Sequence, residues 1–163
     1  IDEQVMILSS LAGVRMALEP EPGHLVARVA DWRRLRLELG EQGPALCLDL
    51  GHLVCLEEGL PAEVLEPGEA VHLAQVHLED ARPGRHEHLE PGQGAMDFPL
   101  VLGQLEALGY AGPVCWELSR SSHRAPEALR AAWACWPGGA YEGRRPPSTL
   151  PGTGGDKEEA WRP

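Results

Sequence analysis

The chain has 163 residues, with 14 basic and 25 acidic side chains and a formal net charge of −11 at pH 7. Since one domain averages about 150 residues, the length predicts a single domain or part of one. No apolar run reaches the ~18 residues that a membrane-spanning helix needs, so we expect no membrane-embedded segment. The only lysine, Lys157, lies in a Gly/Pro-rich segment. This excludes Schiff-base enzymes and Walker-type phosphate loops, which need a lysine in the folded body.

The acidic charge argues against a nucleic acid partner. Residues 138–163 carry four basic and four acidic side chains, which cancel, so the net charge of −11 lies on residues 1–137. Such a body repels a phosphate backbone unless bound metal ions reverse the local field. We therefore expect no nucleic acid partner.

The four cysteines contain no CxxC pair, which argues against a zinc ribbon or a redox motif. Cys47 and Cys115 lie inside apolar runs, where a free cysteine usually packs as a small hydrophobic residue. The first ten residues have neither the basic leader nor the apolar core of a signal peptide. These features predict a reducing, cytoplasmic environment.

Short apolar runs alternate with longer amphipathic ones along the chain. In chain order, the patterns predict a helix over 4–11, a strand over 14–18, a helix over 24–39, a strand over 45–48, a short helix over 60–65, a strand over 73–78, a polar loop over 79–97, a helix over 99–108, a strand over 113–118 and a helix over 126–135. Strands separated by helices indicate βαβ units and a parallel sheet. The nearly all-apolar strands are typical of a sheet that is covered on both faces. Residues 138–163 are rich in Gly and Pro and are predicted to be a disordered tail.

An acidic or imidazole side chain stands at the end of every predicted strand. These positions hold Glu19 and Glu21, Asp49 and His52, His77 with Glu79 and Asp80, and Glu117. Because the carboxyl ends of parallel strands meet where the βα loops gather, we expect one such side chain from each strand to converge there. The four are Glu19, Asp49, His77 and Glu117. For Glu21 and Asp80, capping of a following helix is an equally good interpretation.

The composition of this converging set predicts a metal. Carboxylates that converge repel one another unless they are protonated or bridged by a cation. Three carboxylates and one imidazole are ligands suited to Mn²⁺, Mg²⁺, Co²⁺ or Zn²⁺. We therefore expect one divalent metal ion.

Five motifs resemble the C-terminal half of the xylose-isomerase-like barrel superfamily, which includes sugar and sugar-phosphate isomerases and epimerases and the family-2 apurinic endonucleases. The motifs are ALEPEPG (17–23), CLDLGH (47–52), VHLED (76–80), HEHLEPGQGAMDF (86–98) and GYAGPVCWELS (109–119). They cover about residues 10–135 in the order of the last four barrel strands. The resemblance implies an α/β fold of the TIM-barrel (β/α)₈ type, here a partial barrel of about four βα units.

The resemblance also implies roles for the residues. The metal ligands would be Glu19, Asp49, His77 and Glu117, and the two glutamates would also form the catalytic acid–base pair. His52 matches a substrate-binding histidine of the epimerases and a second-metal ligand of the endonucleases.

Three other residues in the loop after the third strand match less closely. His86 and His88 lie where the endonucleases have an Asp-x-His metal pair, so a second metal would use His52, His86 and His88. In an epimerase, His88 and Arg82 would instead join His52 in binding the substrate. The roles of Arg85 and His123 stay open.

A closed barrel takes about 250 residues, more than this sequence provides. We expect residues 1–137 to be the C-terminal half of a barrel in a truncated chain. A fragment paired with a missing N-terminal half and a half-barrel that forms a homo-oligomer are the alternatives.

Three functions follow from these features. The first is a divalent-metal-dependent isomerase or epimerase of a small-molecule sugar or sugar phosphate, which moves a proton next to a carbonyl. The second is a multi-zinc phosphodiesterase like the apurinic endonucleases, and the third is a non-catalytic truncated remnant. Metal stoichiometry separates the first two.

Overall fold

A computed structural model describes residues 15–136. The predicted helix over 4–11, the first residue of the strand over 14–18 and the tail over 138–163 lie outside the described residues. So does the proposed domain boundary at residues 137 and 138.

The described chain alternates strands and helices. Its elements are β1 (Ala17–Leu18), α1 (Val29–Leu39), β2 (Ala45–Asp49), α2 (Leu50–Leu56), α3 (Pro61–Val64), β3 (Leu73–Leu78), β4 (Asp80–Arg82), β5 (Arg85–Leu89), α4 (Phe98–Ala107), β6 (Val114–Trp116) and α5 (Ala125–Ala134), with 3₁₀ turns at Gly40–Gln42, Glu69–His72 and Ser119–Arg124. None of the helices within 15–136 is long and apolar enough to cross a membrane.

Four strands form one parallel sheet in the order β1-β2-β3-β6. Asp49 of β2 lies opposite His77 of β3, and His77 lies opposite Cys115 of β6. This register places the last residues of the strands at one end of the sheet. The α/β fold with a partial-barrel parallel sheet, expected from the sequence, is confirmed.

The hydrophobic core lies between the sheet and its helices. Alternate strand residues point to opposite faces, and one face of β2 and β3 carries Leu46, Leu48, Val76 and Leu78, which are almost completely buried. The indole of Trp32 in α1 packs in this core, and its Nε1 donates to the carbonyl of Pro44 at 3.1 Å. Phe98 and Val101 of α4 complete the cluster. The polar side chains of the same strands point to the opposite face.

Two predictions within the described residues need correction. The helix over 24–39 begins only at Val29, because the Asp31 carboxylate accepts from the backbone N–H groups of Ala27 and Arg28 and so marks the first turn. Cys47 is buried as expected, but Cys115 is exposed. The reason is that β6 is the outer strand of the described sheet.

Two elements were missed by the sequence patterns. Helix α2 begins directly after β2, with the Asp49 carboxylate accepting from the N–H of His52 at 2.9 Å. The polar loop contains an antiparallel hairpin, β4–β5, which packs against α2; the N–H of Gly84 at its turn donates to the carbonyl of Cys55. The hairpin therefore holds its histidines beside the end of the sheet.

Asp80 organises the loop that follows this hairpin. Its buried carboxylate accepts from the N–H groups of Gly92, Gly94 and Met96 at 2.8 to 2.9 Å. A Cβ at Gly94 would overlap Asp80 and the backbone of Ala81, so only glycine fits there. Asp80 thus acts as a cap for loop backbone.

Candidate metal centre

The structure brings together the four side chains that were predicted to converge. Asp49 ends β2, His77 is the penultimate residue of β3, and Glu19 and Glu117 directly follow β1 and β6. One ligand atom of each lies within 4.8 Å of the others. Four neighbouring parallel strands therefore deliver three carboxylates and one imidazole to a single point.

His77 lies at the middle of this group. Its Nδ1 is 2.7 Å from Oε2 of Glu117, 3.4 Å from Oε2 of Glu19 and 3.9 Å from Oδ2 of Asp49. On the other side of the ring, Nε2 lies 2.6 Å from the side-chain amide of Gln75 and 3.6 Å from Sγ of Cys47. The hydrogen bonds to Cys47 and Glu19 outweigh burial and raise the pKa of His77 to about 11. The ring is thus oriented with Nδ1 toward the carboxylates.

One buried oxygen of the group, Oδ2 of Asp49, lacks a hydrogen-bond partner within residues 15–136. Burial, only partly offset by His52, raises the pKa of Asp49 to about 6. A buried polar atom without a partner costs about 1–3 kcal/mol, and a divalent cation held between Asp49, His77 and the two glutamates would supply the missing interaction. The residues present therefore fit a divalent metal ion.

The three carboxylates differ in their access to solvent. The Asp49 side chain is 0 % exposed, whereas those of Glu19 and Glu117 are 27 % and 32 % exposed. Burial opposes ionisation of Glu19, but the hydrogen bond and charge of His77 outweigh it, so the pKa of Glu19 is lowered. Asp49 is therefore shielded from solvent, whereas the two glutamates are accessible to a bound molecule.

Each glutamate turns its second oxygen toward another histidine. Oε1 of Glu19 lies 3.7 Å from Nδ1 of His52, and Oε1 of Glu117 lies 3.8 Å from Nδ1 of His88. Both carboxylates thus connect the group around His77 to the histidines of α2 and β5.

The proposed second-metal residues are arranged differently from the expected trio. The Nε2 atoms of His52 and His86 lie 3.1 Å apart, and Glu21 approaches them at 3.7 and 3.4 Å. Glu21, His52 and His86 form a group with ligand atoms within 4.8 Å of one another. The ring of His88 is nearby, at 5.1 Å between centroids from His86, but its Nδ1 faces Glu79. Glu21, two residues after Glu19 in the EPEPG segment, is the member for which the sequence left helix capping as an equally good interpretation.

Glu79 is a buried residue that the sequence did not place in the site. Its carboxyl group hydrogen-bonds Nδ1 of His88. Burial, followed by the charge of Asp49, raises the pKa of Glu79 to about 10, while burial lowers the pKa of His88. These shifts favour the neutral form of both groups in this hydrogen bond. A Cβ at Gly51 would overlap the Glu79 carboxyl group, so α2 needs glycine at this position.

Arg82, which was predicted to bind substrate, lies at the outer rim of the site and contacts other residues of the hairpin and the following loop. Arg82 is exposed; it pairs with Glu87 at 3.1 Å and donates to the carbonyl of Gln93 at 2.6 Å. Arg85, its partner across the hairpin, and His123 in the 3₁₀ turn after β6 are also exposed. Arg120, which the sequence did not single out, donates to the carbonyl of His86 at 3.3 Å.

Known proteins similar to this chain include two epimerases. L-ribulose-5-phosphate 3-epimerase UlaE from Escherichia coli K12 is 26% identical over 129 residues, which are 79% of this chain and 45% of that protein. The crystal structure of 3-keto-D-glucoside 4-epimerase YcjR from E. coli superposes with a TM-score of 0.64 at 27% identity, covering 80% of this chain and 50% of that one. The IolI protein with a binding zinc atom gives a TM-score of 0.60 at 25% identity, covering 80% and 52%.

The chain spans less than half the length of UlaE and about half of each of the two solved structures. The family model described as "Xylose isomerase-like TIM barrel" matches residues 8–136, a range that contains all four parallel strands. By this match, the chain belongs to the xylose isomerase-like TIM barrel family.

Proposed function

We propose that this chain carries the metal-binding part of a divalent-metal-dependent sugar or sugar-phosphate isomerase or epimerase, located in the cytoplasm. The observation that carries the proposal is the position of His77, whose Nδ1 faces the carboxylates of Glu19, Asp49 and Glu117 within 4 Å. The epimerase names of UlaE and YcjR support the choice of reaction.

The four ligands would hold the ion, with the buried Asp49 and the partly buried His77 at its inner side. When bound, a divalent ion would polarise the carbonyl of a hydroxy-ketone and stabilise the charge that develops on its oxygen. Mn²⁺, Mg²⁺, Co²⁺ and Zn²⁺ all suit this donor set. The zinc named for the IolI structure supports a metal in this fold.

The proton transfers are assigned to the two partly exposed glutamates. One of Glu19 and Glu117 accepts the proton from the carbon next to the carbonyl, and a glutamate or a bound water returns it. Return to the opposite face of the same carbon gives epimerisation, and return to the neighbouring carbon gives isomerisation. The lowered pKa of Glu19 keeps its carboxylate ionised and able to accept a proton.

Substrate binding is assigned to residues around the glutamates. His52 and His88 each lie within 4 Å of a glutamate oxygen, so their rings border the space next to the proposed proton-transfer groups. We propose that they orient substrate hydroxyls, with Arg82 at the outer rim.

The second candidate function is the multi-zinc phosphodiesterase. The convergence of Glu21, His52 and His86 favours it, because these three ligand atoms could hold another ion. The net charge of −11 opposes it, since an acidic surface repels nucleic acid. A non-catalytic truncated remnant is the third candidate, which would turn over no substrate even if it binds a metal.

Mn²⁺ titration calorimetry of Asp49→Asn, with Asp97→Asn as matched control, tests the metal centre. Both aspartates cap a helix by accepting a backbone N–H, and asparagine is an equally good cap. Only Asp49 faces His77, so we expect Asp49→Asn to weaken Mn²⁺ binding about tenfold or more and Asp97→Asn to leave it unchanged. Equal binding by both variants would contradict the proposed centre.

Exchange of a substrate proton with solvent deuterium, measured with a panel of ketoses and ketose phosphates, then tests the reaction.

A further inference from the structure

Cys47 is a buried thiol beside the candidate metal centre that the proposed reaction does not use. It precedes Asp49 by two residues on β2, so both side chains point to the same face of the sheet. The residue is 6% exposed. Its Sγ lies 3.6 Å from Nε2 of His77 and 3.9 Å from Oε2 of Glu19.

These separations suit a soft metal ion. Around a tetrahedral zinc ion, with Zn–S at about 2.3 Å and Zn–N or Zn–O at about 2.0–2.1 Å, neighbouring sulfur and nitrogen or oxygen ligands lie roughly 3.6 Å apart. One ligand atom each of Glu19, Cys47 and His77 lies within 4.8 Å of the others. Thiolate sulfur favours thiophilic ions, whereas carboxylates favour Mg²⁺ and Mn²⁺.

The His77 ring separates Cys47, which faces Nε2, from a buried carboxylate that faces Nδ1. Asp49 has a fully buried side chain whose Oδ2 has no hydrogen-bond partner among residues 15–136 and lies 3.9 Å from Nδ1 of His77. An ion on the Cys47 side of the ring would displace the Gln75 amide, which lies 2.6 Å from Nε2 of His77.

We propose that Cys47, His77 and Glu19 form an alternative site for a thiophilic divalent ion such as Zn²⁺ or Cd²⁺. As the metal–sulfur bond forms, the thiol releases its proton to solvent. The inference rests on the proposed function, because His77 and Glu19 belong to both ligand sets. Oε2 of Glu19 faces both Cys47 and His77, so an ion bound through Cys47 withdraws this oxygen from the oxygen-rich site. Thiophilic ions therefore compete with Mn²⁺, and Cys47 makes the centre sensitive to the identity of the metal.

The test compares Cys47→Ser with Cys115→Ser in the full 163-residue chain. Cys115 is the matched control, because it is a free thiol on β6, the strand on the far side of β3, and its Sγ contacts Gln75 at 3.7 Å. With Co²⁺, the wild type and Cys115→Ser should show sulfur-to-cobalt charge-transfer absorption that Cys47→Ser lacks. Calorimetry should show Cd²⁺ binding about tenfold or more weaker in Cys47→Ser, with Mn²⁺ binding within about twofold of the wild type.

Cd²⁺ affinity that is the same in Cys47→Ser and wild type, or charge-transfer absorption that persists in Cys47→Ser, would overturn the inference. If Cys47→Ser does not fold, the ¹¹³Cd chemical shift of the wild-type complex decides, because a sulfur ligand moves it far downfield of an all-oxygen and nitrogen site. If the wild type binds Cd²⁺ through sulfur but does not bind Mn²⁺, the proposed function is refuted and the Cys47 site is retained. If the wild type binds Mn²⁺ and its ¹¹³Cd chemical shift shows no sulfur ligand, only the Cys47 site is refuted.

Discussion

The Nε2 atoms of His52 and His86 face each other at 3.1 Å. Nδ1 of His52 lies 2.9 Å from the carbonyl of Pro20, which can only accept, so the proton of a neutral His52 is on Nδ1. Nε2 of His52 is then an acceptor, and the proton in the short contact belongs to His86. Without a second ion, this hydrogen bond pairs the two facing Nε2 atoms.

We therefore expect one Mn²⁺ per chain, bound by Glu19, Asp49, His77 and Glu117. His86→Ala should leave this stoichiometry at one, because His86 is not among these ligands. Metal analysis of dialysed protein measures it. Two ions in the wild type that fall to one in both His86→Ala and Glu21→Gln would favour the phosphodiesterase instead.

A second prediction separates proton transfer from metal binding. Where a chain with this site turns over a ketose or ketose phosphate, Glu117→Gln should lower kcat at least about a hundredfold, because the amide cannot accept the substrate proton. Metal affinity should fall less, since one coordinating oxygen remains. His52→Ala should raise KM more than it lowers kcat, because its assigned role is to orient hydroxyls. Deuterium exchange that persists in Glu117→Gln would remove this residue from the proton transfer.

A third prediction compares two glycines that both lie in helices. Gly51 in α2 abuts the buried Glu79 carboxyl group, whereas an added Cβ at Gly103 in α4 would meet no atom within 4 Å. Gly51→Ala should lower the free energy of unfolding by about 1–3 kcal/mol through overpacking. Gly103→Ala should raise it by up to about 1 kcal/mol, because alanine is the better helix former. Urea unfolding with chelator present measures both, and a neutral Gly51→Ala would show that Glu79 can move aside.

A fourth prediction concerns pH and the ion pair that joins α1 to the turn before β3. Arg33 binds Glu69 through two contacts of 2.6 and 2.7 Å. Burial opposes ionisation of Glu69, but the hydrogen bond from Arg33 outweighs it, and the pKa of Glu69 is lowered from its ordinary value of 4.5. Since the folded pKa lies below the unfolded one, the pair stabilises the fold above pH 4.5, and this stability is lost as pH falls through the folded pKa.

Glu69→Gln should therefore lower the free energy of unfolding by about 1 kcal/mol at neutral pH and by progressively less in acid. The control is Glu66→Gln, since Glu66 is largely exposed and lies 3.3 Å from the same guanidinium. Unfolding curves at several pH values measure the difference. A difference between Glu69→Gln and wild type that does not shrink in acid would mean that the Glu69 charge is not its source.

The sequence by itself determined the parallel sheet and the residues at its functional edge. Strand β3 was predicted with the bounds Leu73–Leu78 that the structure has. Apolar runs and helix-breaking glycines are local signals, and in a parallel sheet the carboxyl ends of all strands share one edge. A polar residue that ends such a run can therefore be placed at this edge without knowledge of the packing, as with Asp49 and His77.

Only the tertiary structure decided which atoms at this edge meet. Helix α2 could not be told from an apolar extension of β2, because Leu50–Leu56 is apolar on most sides and its start depends on the Asp49 cap. The pairing of His86 with Glu21, and of Cys47 with His77, depends on how the hairpin packs on α2 and on the register that sets Asp49 opposite His77. Register and packing join residues that are distant in sequence, and no local pattern specifies the distance between two side chains on different strands.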